Sequence, residues 1–421
     1  MAVFGLLAVT GLILFSTFGG FGTSAKAVGT VSIWGTLSES AISAQINTLK
    51  TGNKDYANVS YTQIPLETFD TTLANALASG TGPDMILISQ EQLVAETSKL
   101  NVIPFSSISE RTYLDTYVPI SQLFLTTTGT YGVPYVVDPL VLYYNRTILD
   151  SAGVASAPSS WEAVTGLSER LTVRNGGEVS RGTIPFGVYE NVGNARAIVS
   201  LLLLQSGTPI TSVSTTGLHA SLQRGATGAV GINATESALS FYTQFADPAK
   251  TVYSWNKAMP EARQAFLAGD LALYIGFASE LPTLRASNPN LNFDMARIPQ
   301  PQVNPTRINY GRAYAFAIPK ASKNPAGAFT TAIALTASDQ VALASGNLSM
   351  APALRTLLAT PSSDKYQAVY FPEALIAKGW LSPMPSVTDS IFSAMINNIT
   401  TGRKTTAEAI VTADQALDAS L

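Results

Sequence analysis

The sequence predicts an α/β protein of two hinged lobes, each a mixed sheet flanked by helices. Three observations predict it. The 421 residues have room for roughly two or three domains. The chain opens on a β-α-β-α-β order, which implies a parallel or mixed sheet with helices on its faces. Tyr131–Arg146, YGVPYVVDPLVLYYNR, is a turn-bounded apolar run with one acid, Asp138, at its centre. Such a run reads as a buried strand. An acid inside it is costly unless it is paired or lines a cavity. Pro139 follows and cannot donate to a sheet ladder. The pattern predicts a strand that leaves one sheet, passes a ligand cleft at Asp138 and enters a second sheet.

The elements follow in order. Val31–Trp34 is a strand that ends at Gly35, and Ser38–Leu49 is a helix. Val59–Ile64 alternates as a strand does. Phe69, Leu73, Ala76 and Leu77 recur at helical spacing within Glu67–Ala78. The breakers Gly80-Thr81-Gly82-Pro83 precede Asp84 and the buried strand Met85–Ile88. A serine cap and an early Glu162 start the helix Trp161–Leu171. Pro185–Tyr189 reads as a short strand, Ile198–Gln205 as an apolar helix and Thr208–Gly231 as an irregular excursion. Ala234–Phe245 and Pro260–Leu267 read as helices, and Leu271–Ile275 as a strand. Asn309–Ile318 is a strand with Gly311 inside it. Ala326–Thr336 and Asp339–Gly346 are helices, Leu348–Ala353 is a loop, and the helices Ser386–Thr400 and Thr405–Ala419 close the chain. There is no internal repeat.

Composition excludes several functions. The chain is 46% hydrophobic, 13% charged and carries a net charge of −3, with no basic block, so a nucleic-acid partner is not expected. Without cysteine there is no disulfide, thiolate metal site, iron–sulfur cluster or Cys nucleophile. The single histidine, His219, lies in a polar loop and cannot build a multi-His metal centre. No nucleophile elbow accompanies it. No metal or cofactor is expected. Ala2–Phe21 is a near-continuous apolar stretch, and Ala25-Lys26-Ala27 fits a small-x-small cleavage site. Residues 1–27 therefore read as a signal peptide. No Lys or Arg precedes the apolar run, and its length just spans a bilayer, so an uncleaved N-terminal membrane anchor stays open. Both readings put the folded part outside the cytoplasmic membrane.

Several blocks carry a resemblance in order along residues 31–418. They are VSIWGT, LANALASGTGPDMILIS, YGVPYVVDPLVLYYNRTILDSAG with PSSWEAV, and EARQAFLAGDLALYIGF with YGRAYAFAIPKASKNPAGAF. The tail MPSVTDSIFSAMINNITTGRKTTAEAI follows them. The set resembles the extracellular solute-binding proteins of ABC importers, in the carbohydrate-binding group that includes maltose-binding protein. The resemblance implies a two-lobe periplasmic-binding-protein-like fold of type II. Lobe one would take residues 28–137 and 314–348, and lobe two 138–313 and 349–421. It also implies a carbohydrate ligand, an oligosaccharide, bound in an interlobe cleft. Closure would signal occupancy to a membrane permease. The protein would be a monomer and not an enzyme.

A sugar offers apolar C–H faces and many hydroxyls, so its site calls for aromatic platforms and planar polar groups. Trp34 ends the first strand, where a side chain can face a cleft. Asp84 matches the family's acid after Gly-Pro, and Asp138 its acid in the crossing strand. Tyr189 and Glu190 sit where the family places an aromatic and an acid. Phe277 and Glu280 follow the strand Leu271–Ile275, where maltose-binding protein has tryptophans and this chain has none, so the stacking surface must differ. Tyr310 and Arg312 flank Gly311, and Arg312 can fork onto hydroxyls or an acidic sugar. Trp255, Trp380, Gln90 and Thr36 are further candidates. Each residue also has a plain structural reading: core packing for the aromatics, local hydrogen bonding for the acids. Other classes stay open: a binder of a polyamine, peptide or anion, an anchored receptor, or a secreted hydrolase using two carboxylates. Sequons at Asn58, Asn145, Asn233, Asn347 and Asn398 are at chance level in so Ser/Thr-rich a chain.

Overall fold

The computed structural model describes residues 28–225, 233–302 and 306–421; the segment read as export signal or anchor lies outside them. In chain order the elements used below are β1 (Val31–Gly35), α1 (Glu39–Gly52), β2 (Val59–Gln63), α2 (Leu66–Ala78), β3 (Met85–Ser89) and β4 (Gly132–Asn145). They continue with α3 (Trp161–Leu171), α4 (Ala195–Gln205), α5 (Ala234–Thr243), β5 (Leu273–Phe277), β6 (Phe293–Ala296) and β7 (Asn309–Ala317). Then come α6 (Pro325–Leu335), α7 (Ser338–Leu348), β8 (Ala351–Pro352), β9 (Ala377–Lys378), α8 (Pro385–Thr400) and α9 (Thr406–Asp418). The chain forms two compact units. One holds the residues up to Val137 and Ala313–Thr360; the other holds Asp138–Arg312 and Pro361–Leu421.

In the first unit β1 pairs in parallel with β2 and β3, and β3 pairs antiparallel with Tyr314–Ala317 of β7. The sheet is mixed because β7 returns against β3. Val31, Ile33 and every residue of β3 are buried, which matches their apolar, β-branched character. α1 buries Ala41, Ile42, Gln45 and Ile46 on one face. Gln45 is fully buried yet satisfied: its amide donates to Leu335 O at 2.8 Å and Gln340 O at 2.9 Å, and it accepts the Tyr135 hydroxyl at 2.6 Å. One side chain thereby ties α1, α6, α7 and β4 together.

Ser349–Thr360 belongs to this first unit, whereas the sequence reading assigned residue 349 onward to the second lobe. The reason is a short strand that the loop reading missed. β8 pairs antiparallel with Val136 and Val137, and Ala353 N donates to Tyr135 O at 2.9 Å.

In the second unit Leu140–Asn145 of β4 is flanked antiparallel by β5 and β6, and Asn309–Tyr310 pairs in parallel with β9. β4 is a single strand through Pro139, buried at every position except Tyr144. α3 starts where expected, with Ser160 Oγ accepting from Ala163 N at 3.2 Å. Trp161, Phe186, Tyr242 and Phe245 form an aromatic core with ring centroids 5.2–5.7 Å apart. Two expectations differ. Thr208–Gly231 contains a hairpin, Thr211–Ser214 with Gly217–Ala220, although residues 226–232 lie outside the described residues. Pro185–Tyr189 is not a strand: Phe186 N turns back onto Ile184 O at 3.0 Å, and Gly182, just upstream, makes the bridge to Leu271.

Gly187 explains why no ladder forms there. Its φ is +97°, and a Cβ would lie 2.5 Å from the backbone nitrogen of Ala246. Gly187→Ala should therefore destabilise the second unit by about 2 kcal/mol or more. Urea unfolding checks this; an unchanged midpoint would contradict the packing described.

Candidate functional site

Asp138 is 2% exposed in the middle of β4, and the turn after β5 answers it. Ser279 N donates to Oδ1 at 3.1 Å and Ser279 Oγ to Oδ2 at 2.6 Å. Burial still dominates and pushes the carboxyl up to about 7; the two Ser279 bonds and the Arg312 guanidinium pull it partly back, and Glu280 opposes them. The same turn carries Phe277, whose ring lies 4.0 Å from the Arg312 guanidinium carbon. Three of the expected residues, Asp138, Phe277 and Arg312, are thus one cluster, joined through Ser279.

Glu280, the next residue of the turn, gathers donors of its own. Glu280 accepts from Phe277 N and from Asn194 Nδ2, each at 2.8 Å, and from the Tyr274 hydroxyl at 2.6 Å. Asn194 precedes α4, and two residues on, Arg196 Nε lies 3.3 Å from Asp389 Oδ1 of α8. The same oxygen accepts the Tyr189 hydroxyl at 2.6 Å. Burial raises the Tyr189 phenol and Asp389 raises it further, so the hydroxyl stays a donor. The Asp389 side chain is 48% exposed, unlike the buried Arg196 that orients it. The second unit thus carries a carboxylate held in one orientation and an arginine stacked on an aromatic ring, with hydroxyl and amide groups beside them.

Glu190 stands apart. It is paired with Lys257 Nζ at 2.9 Å and with Asn397 Nδ2 at 2.6 Å. Partial burial raises its carboxyl, but those partners outweigh it and hold the group at about 2. Tyr310 is 1% exposed, inside the core of the second unit. Trp255 and Trp380 are also core: their indoles donate to Asn191 Oδ1 and to Ser200 Oγ, each at 3.0 Å. His219 lies on the hairpin with Asp418 and Thr216 as partners.

In the first unit Trp34 is half-buried on β1, opposite Thr62 and Ile86. Asp84 sits at the start of β3, at the N-terminal ends of the parallel strands. It accepts from Ser32 N and Oγ, both at 3.0 Å, from Lys323 N at 3.2 Å and from Ser322 Oγ at 3.4 Å. Gln90 is fully buried and its Oε1 accepts Ala313 N at 2.7 Å.

Sequence reasoning missed Ser279, Asn194, Arg196 and Asp389. Asn194, in the Gly193-Asn194 turn before an apolar helix, was the one with a visible signal. The others are ordinary polar residues until the fold brings them together.

The model of the family described as bacterial extracellular solute-binding protein matches residues 39–342. The chain belongs to that family. It is a family of binding proteins, and its description places the folded chain outside the cytoplasm. Among the described residues no helix is long and apolar enough to cross a membrane. The fold matches solved structures over nearly their whole length. A cyclic α-maltosyl-1,6-maltose binding protein from Arthrobacter globiformis has a TM-score of 0.76 at 17% identity, covering 93% of this chain and 98% of that one. The GacH receptor of Streptomyces glaucescens, solved unliganded and with acarbose, has 0.72 at 17% identity, covering 93% and 98%. The sugar-binding protein MalE of Xanthomonas citri has 0.73 at 17% identity, covering 93% and 97%. These are two-lobe periplasmic binding folds of the type that includes maltose-binding protein, and the α/β architecture here is of that class. No curated protein matches the sequence.

The Asp138 carboxyl has a stability consequence. Its raised value means the folded protein holds this proton more tightly than the unfolded chain. Stability from this group is full below about pH 4 and falls as pH rises toward 7. Glu373, pushed up to about 7 by burial against the counteracting Arg307 and Arg297, adds a slope of the same sign. Asp138→Asn should remove its own share, on the order of a few kcal/mol between pH 4 and 8. Unfolding free energy against pH checks this; an unaltered slope in the variant would contradict it.

Proposed function

We propose that the protein is an extracytoplasmic receptor that captures a carbohydrate, an oligosaccharide, and delivers it to the membrane permease of an ABC importer. It acts as a monomer and without turnover, and residues 1–27 export it or anchor it to the outer face of the membrane. The observations that carry this reading are the cluster Asp138, Ser279, Phe277 and Arg312 and, on the same unit, the set Arg196, Asp389 and Tyr189. Phe277 is itself 2% exposed beneath Arg312, so a guanidinium face with fixed donors and acceptors is what a hydroxyl-rich ring would meet. The charges there are largely balanced: Asp389 by Arg196, and Asp138 by its own proton near neutral pH. A polyamine would need more uncompensated acid, and an anion more uncompensated arginine. Family membership and the sugar-binding proteins among the structural neighbours support the same class.

Trp34, on the first unit, adds a stacking face in this reading, and Glu190 contributes through its fixed carboxylate. Asp84 and Tyr310 act through the framework, since one carboxylate has four protein donors and the other ring lies in the core.

Thermal unfolding with maltotetraose, acarbose, mannotriose, monosaccharides, spermidine and phosphate tests the class. A ligand at 100 times its Kd adds about 2.7 kcal/mol, a shift of several degrees. A shift with one sugar class, with Kd raised about tenfold or more in Trp34→Ala and in Asp389→Asn, is expected. Shifts with spermidine or phosphate alone would overturn the carbohydrate assignment while leaving the family intact.

A further inference from the structure

The turn Phe277–Glu280 has no slack in its backbone. Phe277 N donates to Glu280 Oε1 at 2.8 Å, and Ser279 N donates to Asp138 Oδ1 at 3.1 Å. Tyr143, fully buried on β4, gives its hydroxyl to Phe277 O at 2.8 Å and to Ala278 O at 3.3 Å. Glu280 holds more than its own turn. Its carboxylate also takes the Asn194 amide and the Tyr274 hydroxyl, so three donors, two from β5 and one from the turn before α4, converge on it. The fit against the backbone is close: a Cβ on Gly276 would lie 2.8 Å from Glu280 Oε1.

We propose that Glu280 is a positioning residue for solute recognition: with its carboxylate taken up by protein donors, it sets Phe277, Ser279 and Asn194 in the arrangement that the solute meets. This rests on the carbohydrate-receptor reading and extends it to a residue whose own contacts are internal. A carboxylate suits the place because it accepts from all three donors and donates to none. A glutamine could keep one oxygen on Phe277 N and Asn194 and turn its NH2 to the Tyr274 oxygen, which also accepts, so leucine, of similar size and with no acceptor, is the informative replacement. The Phe277 end of the turn then loosens, and the Asp138–Ser279 bond two residues away loosens with it.

The test is Glu280→Leu in the full protein, read in two ways. Without any solute, hydrogen exchange is followed at the Phe277 and Ser279 amides. Both are expected to exchange about tenfold faster or more, while amides of β1–β3 are unchanged. With maltotetraose as probe, Kd is expected to rise about tenfold or more in a protein that still unfolds cooperatively. Faster exchange at Phe277 alone, or an unchanged Kd in a merely less stable variant, would overturn the proposal. If wild type binds no sugar, the receptor reading fails, and the exchange at Ser279 still decides whether Glu280 sets the turn. Should Glu280→Leu not fold, Tyr274→Phe removes one of the three donors and keeps the carboxylate. A smaller acceleration at both amides supports the proposal, and none overturns it.

Discussion

A carboxyl in the middle of an apolar strand is the constraint on which the second unit is organised. Asp138 has only 2% of its surface exposed, and an ionised carboxylate there without partners costs more than one side chain's packing returns. Two responses meet that cost. Ser279 supplies a backbone and a side-chain donor, and the group's proton affinity rises until the neutral form is accessible near pH 7. Because Ser279 must reach β4, the turn after β5 is pinned, and pinning it places Phe277 beneath Arg312. Under the proposed function, a framework requirement and a recognition site therefore share one turn.

The other acids of this unit follow the same rule of being answered at short range. Glu280 is met by three donors, Asp389 by Arg196 and Tyr189, and Glu190 by Lys257 and Asn397. What remains accessible is oriented rather than free-swinging, and an oriented group loses less entropy when a solute arrives. Three of the four tryptophans, Trp161, Trp255 and Trp380, lie in the core, and Phe277, itself 2% exposed, stands in the turn beneath Arg312.

How much of this was legible in the sequence depends on range. Elements written in local chemistry were readable: β4 from its unbroken apolar run, α3 from Ser160, and β3 from Met85–Ile88 after its breakers. Asp138 was conspicuous because a lone acid in such a run demands an explanation. Its partner was not, since Ser279 is 141 positions away and no local pattern marks it. Arg196 and Asp389, far apart in the sequence, carry no local signal for the same reason. Asp84 drew attention through its motif, yet its four donors come from Ser32 and from Ser322–Lys323, a pairing only the folded sheet creates. Pro185–Tyr189 has strand-like residues, but the left-handed Gly187 turns the chain before a ladder can form.

In the proposed function the Asp138 carboxyl, buried and held by Ser279, senses the solute through the turn it anchors. The most direct measurement is the titration of that carboxyl by carbon-detected NMR, with Asp138→Asn for assignment, in the free protein and with a saturating sugar. The account predicts a midpoint near 7 in the free protein, displaced when sugar binds. A midpoint at the ordinary aspartate value of about 3.9, unmoved by a sugar that demonstrably binds, would contradict it.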